Sequence, residues 1–250
     1  MRQCLFCHNQ ADTKEHVCPD WILKRIKSKA GVRHKIGKQP EKFLPDADIR
    51  IKRLCSRCNH GWMSALEEAN KPLIGVLMDD IGLALAPQAQ RLISAWTAKT
   101  SMVLDSLNSK RSNFFSPQER TQLRLARTIP PRTIAWLGRF PLHTVHFGGT
   151  DIWAGLNEHP KAVHGCVSSF VLGHLVIQTL TIHVAPEYDH LTQINLGVKN
   201  LPYGRSWDEY LVSIWPPSGR ASWPPPRTFE NGGVFSIGRL FDRWHIGQEL

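Results

Sequence analysis

Apolar positions change their spacing along this chain, and each change predicts a different element. Trp21, Ile22, Leu23 and Ile26 cluster as in a short helix, while Trp62, Leu66, Ala69 and Leu73 repeat at helical spacing with Glu67 and Glu68 on another face. Pro72 should end or kink that second helix near Lys71 and open a short new one through Met78. Leu92, Ile93, Trp96, Thr100, Val103, Leu104 and Leu107 predict a further helix, and Ser116-Pro117-Gln118-Glu119 supplies the start signal of another, with Ser as N-cap and Glu three residues on.

Beyond these, β-branched and aromatic residues gather between glycines and prolines at 133–137, 144–147, 167–172, 175–184 and 234–237, which read as strands. The uncharged run from His164 to Pro186 is interrupted by Gly173, His174 and Gln178, so it reads as a buried strand pair rather than a membrane span. The fold class is therefore α+β. A small unit over residues 1–87 precedes an α+β domain over 88–250 with a mainly antiparallel sheet.

Charge divides the chain the same way. Residues 1–60 hold 14 Lys/Arg against 6 Asp/Glu, whereas the remaining residues hold 17 against 15, so nearly all of the +10 net charge sits near the N-terminus. A basic patch favours a polyanionic partner, and the stretch from Lys24 to Lys42 has eight Lys/Arg against Glu41 alone. Arg25, Lys27, Lys29, Arg33, Lys35 and Lys38 are its candidate phosphate contacts; a solvated loop would show the same composition. The opening Met1-Arg2-Gln3-Cys4 lacks an apolar signal segment, so the expected setting is the reducing cytoplasm, where six cysteines read poorly as disulfides.

Four of those cysteines form paired knuckles, Cys4-Leu5-Phe6-Cys7 and Cys55-Ser56-Arg57-Cys58. Two knuckles converging on one tetrahedral Zn²⁺ is the reading favoured over two redox pairs or an iron–sulfur centre, because thiolates are soft, charged donors and a small unit gains folding free energy from the metal. Cys18 and Cys166 are left as free thiols. The 47 intervening residues are long for a minimal finger and imply an insertion. Glu15-His16-Val17-Cys18-Pro19 lies within the first half, and Asn59-His60-Gly61-Trp62-Met63 follows the second knuckle.

Cys4-x-x-Cys7, Glu15-His16-Val17-x-Pro19 and Cys55-x-x-Cys58-Asn59, continued by Gly61-Trp62-Met63-Ser64-x-Leu66-Glu67, resemble the HNH nucleases, specifically their four-cysteine, zinc-stabilised members. The resemblance covers about residues 1–75 and implies a treble-clef, or ββα-metal, zinc module. Carried over by position, it makes His16 the general base that activates water. Glu15 and Asn59 become ligands of a second, divalent ion, Mg²⁺ or Mn²⁺, with His60 as an alternative ligand. The implied activity is hydrolysis of DNA, preferred over RNA, by a protein for which two-fold pairing would suit cleavage of both strands. The competing reading is a zinc-containing nucleic-acid-binding protein without a working nuclease centre; a third is a structural or interaction protein using the loops at Trp215-Pro216-Pro217 and Trp223-Pro224-Pro225-Pro226.

Other polar groups read as structural. Asp79-Asp80 fits the polar end of a helix, His143 and His146 lie three apart on an expected strand, where they face opposite sides and make a poor chelate, and His174, His183, Asp189 and His190 lack a nucleophile partner.

Overall fold

The computed structural model describes residues 2–26, 32–36, 42–44, 49–107, 113–156, 159–189 and 207–229. Its elements in chain order are β1 (Thr13–His16), α1 (Asp20–Ile26), β2 (Val32–Ile36), β3 (Lys42–Leu44), β4 (Arg50–Leu54), α2 (Ser64–Met78), β5 (Leu83–Leu85), α3 (Pro87–Asp105), α4 (Pro117–Ala126), β6 (Thr133–Leu156), β7 (His159–Val184), β8 (Leu211–Trp215) and β9 (Ala221–Trp223). The architecture is α+β, a cysteine-rich N-terminal region with a mixed, mainly antiparallel sheet beyond it.

The N-terminal region is held by backbone pairing across a long insertion. β1 pairs antiparallel with β4, the first knuckle hangs from β4 through Leu5 N–H to Arg53 O at 2.8 Å, and Asp12 N–H reaches Leu54 O at 3.0 Å. The second knuckle leads at once into a π-helical turn, Cys58–Met63, interrupted at Gly61 (φ −94°, ψ −109°), and then into α2. Part of the basic insertion leaves this region: β2 runs parallel to β6, with β3 at the edge, so the main sheet has the order β3-β2-β6-β7, and β8 also pairs with β6.

Two helices differ in their fidelity to expectation. α4 starts on the Ser116 capping box, with Glu119 N–H donating to Ser116 Oγ (3.2 Å) and Ser116 N–H to Glu119 Oε2 (2.8 Å). α2 departs from it by running unbroken through Pro72 to Met78. The missing N–H and ring clash of an internal proline cost about 3 kcal/mol. Burial of Leu66, Ile74, Leu77 and Met78 offsets that cost, and so does Asn70, whose Nδ2 donates to Leu66 O within α2 and to Leu92 O of α3.

The strands also join where separate ones were expected. Segments 133–137 and 144–147 belong to β6, and 167–172 and 175–184 to β7, which is one long strand instead of a pair. Gly173, at φ +64°, passes the chain straight through a bulge opposite the irregular stretch between Arg139 and Thr144. The bulge inverts side-chain parity. Before it Cys166, Phe170 and Leu172 face the large core under the helices; after it Leu175 and Ile177 do, while Val167, Val171, Val176 and Leu180 fill a second core on the other side. The large core runs from Cys4, Phe6 and Leu54 through Trp96 and Met102 to Phe147, Ile214 and Trp223. The expected strand at 234–237 lies outside the described residues. No described helix is long and apolar enough to cross a membrane.

Candidate metal centre and the polar cluster beside it

The sulfurs of Cys4, Cys7, Cys55 and Cys58 all lie within 4.8 Å of one another. Cys7 Sγ stands 3.5 Å from Cys55 Sγ and 3.6 Å from Cys58 Sγ. Four thiolates at about 2.3 Å from a tetrahedral zinc would be about 3.8 Å apart, so these four side chains fit that ion. Local backbone dictates the convergence: Cys4 N–H closes the first loop on Asn9 O at 2.8 Å, and the N–H groups of Cys58 and Asn59 both turn onto Cys55 O. Asn9 Nδ2 also points at Cys55 Sγ, 3.8 Å away.

Burial pushes the Cys4 and Cys58 thiols up, Cys58 further by the charge at Cys4. Burial also acts to raise Cys55, but the Cys58 N–H and the neighbouring sulfurs outweigh it and hold that thiol below its ordinary value. Thiols so crowded cannot all ionise without a cation between them, which a soft divalent ion supplies. Among the described residues this is the one group of His, Cys, Asp and Glu side chains arranged to hold a metal. Cys18 and Cys166 are buried and stand outside the cluster, and burial pushes Cys18 up to about 12.

Beside the knuckles, Glu15 and Asn59 are brought together: Asn59 Nδ2 donates to Thr13 Oγ1 at 3.3 Å, and a hydrogen bond from the Asn59 side chain acts to lower the Glu15 carboxyl. Burial raises Glu15 to about 7, against the fields of Lys99 and the Asn59 hydrogen bond and with that of Glu67. The cation in this neighbourhood is the protein's own. Lys99 from α3 is 2% exposed and its Nζ sits 2.8 Å from Glu67 Oε1 of α2, with the Trp96 ring centroid 5.6 Å away. That ammonium is paired with Glu67, and its field on Glu15 is outweighed by burial.

His16 follows Glu15 on β1. Adjacent side chains leave opposite faces of a strand, so His16 departs from the other side of β1 to Glu15, in register with Arg50. His60 is exposed and bonded to Ser56 Oγ at 3.1 Å, apart from the sulfurs. Of the basic residues, Arg25 is held by Asp79 at the end of α2 and packs over Gly75. Lys27, Lys29 and Lys38 lie outside the described residues, and Arg33 and Lys35 are placed by backbone alone on β2.

Lys99, Arg57 and Arg124 were not singled out in the sequence. Lys99 had a signal, a charged residue amid Trp96, Ala98, Met102 and Val103 on a helix buried nearly all round. Compared with known proteins, the chain matches no family model, no curated protein and no solved structure.

Proposed function

We propose that this chain is a zinc-organised nucleic-acid-binding protein that does not hydrolyse its partner. The four-cysteine cluster supports a single structural zinc. The observation that carries the reading is the donor set: among the described residues the four cysteines alone are arranged to hold a metal, while the Glu15 carboxyl is raised by burial to about 7 beside the Lys99–Glu67 pair. The basic bias of residues 1–60 supports a polyanionic partner, DNA before RNA. In this reading the HNH-like pattern survives as a scaffold of treble-clef type, with Glu15 and Asn59 reassigned to bracing β1 against the turn after the second knuckle, and residues 88–250 serve assembly or substrate selection.

The test is a gel assay of zinc-loaded protein on supercoiled plasmid with Mg²⁺, Mn²⁺ or EDTA, with His16→Ala in parallel. The expected result is a mobility shift with no nicking in any buffer. Metal-dependent nicking lost in folded His16→Ala would restore the hydrolytic reading; absence of any shift would remove the nucleic-acid partner.

A further inference from the structure

Alongside the zinc knuckles lies a cleft of about 590 Å³, lined by Cys7, His8, Asn9, Arg57, Trp62 and Arg124, among others. That volume is in the range of small-ligand sites. Its walls come from two parts of the chain: Arg57 stands inside the second knuckle, and Arg124 projects from α4.

Arg120, Arg124 and Arg127 follow at spacings of four and three, which puts them on one side of α4. Arg127 caps the helix end through Leu123 O and Arg124 O and lays its guanidinium over Trp62, 4.7 Å from the ring centroid. Burial lowers the affinity of Arg120 for a proton; the field of Asp105 opposes this, that of Arg53 from β4 adds to it, and that of Glu119 opposes it.

These arginines differ from those elsewhere in the molecule. Arg25, Arg132, Arg139 and Arg227 are each paired with a carboxylate, Asp79, Asp189, Asp80 and Glu209 respectively. Among the described residues no carboxylate stands within ion-pair distance of Arg53, Arg57 or Arg124, and buried N–H groups at Arg53 Nε, Arg120 Nε and Nη1, and Arg124 Nε have no acceptor. Of these arginines, Arg57 and Arg124 line the one cleft from two walls, and two guanidinium forks without a carboxylate partner suit an anion that supplies several oxygens. Phosphate fits this description better than carboxylate, because it offers more oxygens to forks arriving from two walls.

We propose that the cleft between the second zinc knuckle and α4 binds a backbone phosphate of a nucleic acid, with Arg57 and Arg124 as its direct contacts and Arg127, laid over Trp62, adding its charge beside them. The proposal rests on the nucleic-acid-binding reading above and moves the contact surface from the basic insertion to the metal-braced cleft. Phosphate contacts position a strand without reading its bases, so the expected binding is weakly sequence-dependent.

The experiment measures anisotropy of labelled single-stranded and duplex oligonucleotides with zinc-loaded full chain over a salt series. Arg57→Gln and Arg124→Gln are compared with Arg227→Gln, whose wild-type side chain is already paired with Glu209. Inorganic phosphate and polyglutamate serve as competitors, and zinc content and circular dichroism are checked throughout. Each cleft variant is expected to weaken binding about tenfold and to lower the salt slope by about one, with zinc content unchanged and Arg227→Gln like wild type. Oligonucleotide binding that Arg57→Gln and Arg124→Gln leave intact overturns the cleft assignment alone and leaves the wider reading standing. So does zinc loss in step with weakened binding, which would mean that the arginines serve the thiolate cluster. Competition by polyglutamate as strong as that by oligonucleotide overturns the phosphate assignment. Phosphate bound through Arg124 with no oligonucleotide bound by wild type overturns the backbone assignment and the nucleic-acid reading together.

Discussion

At the scale of single residues, the most consequential side chain is Lys99. A buried ammonium is tolerated because Glu67 accepts from it at 2.8 Å, and removing one partner of such a pair leaves the other charged and desolvated. Lys99→Met is therefore expected to destabilise the chain by about 3 kcal/mol in urea unfolding, with part of the loss recovered in Lys99→Met/Glu67→Gln. Additive losses would show that the pair is not coupled. Glu15 gives a pH signature. Its carboxyl is raised from 4.5 to about 7 in the folded chain, so the folded state holds the proton more tightly and stability falls as pH rises through that window. Glu15→Gln should flatten the stability profile between those values; a profile parallel to wild type would contradict the assigned environment. The sequence displayed Glu15, His16 and Asn59 by spacing alone. The surroundings of Glu15 were not legible, because they depend on a lysine forty residues downstream of Asn59 and on the glutamate it pairs with.

At the scale of elements, local chemistry and tertiary packing share control. The capping box at Ser116 was legible because reciprocal side-chain and backbone bonds need only four consecutive residues. Pro72 was misleading because the burial that carries α2 across it comes from α3 and the sheet, remote in sequence. Gly173 was read as an interruption between two strands, whereas its left-handed backbone builds a bulge that changes parity and keeps both halves of β7 in phase with the same cores. An added Cβ there would stand 2.8 Å from Met78 O and 3.0 Å from His143 Nε2. Gly173→Ala is expected to cost about 2 kcal/mol or more from backbone strain and contact together, measured by chemical denaturation. An unchanged midpoint would show that the bulge relaxes freely.

At the scale of the whole molecule, the zinc knuckles and the sheet share one hydrophobic core, with Phe6, Leu54 and Met63 in the same cluster as Phe147, Leu175 and Ile214. Metal binding should consequently stabilise more than the first sixty residues. Chelation of zinc, or Cys7→Ser, is expected to lower the melting temperature of the sheet as well as of the knuckle region, followed by near-ultraviolet dichroism; an unaltered sheet transition would separate the two. The α+β class and the four metal-binding cysteines were readable because periodicity and Cys-x-x-Cys spacing are local patterns. The parallel seating of β2 against β6 was not, since nothing in a basic insertion names the edge it will join. The most direct test of the central claim, that the Glu15–Asn59 locus holds no hard metal, is electron paramagnetic resonance of Mn²⁺ titrated into zinc-loaded protein. The expected result is no Mn²⁺ site that depends on Glu15; one Mn²⁺ bound per chain and lost in Glu15→Gln would contradict it.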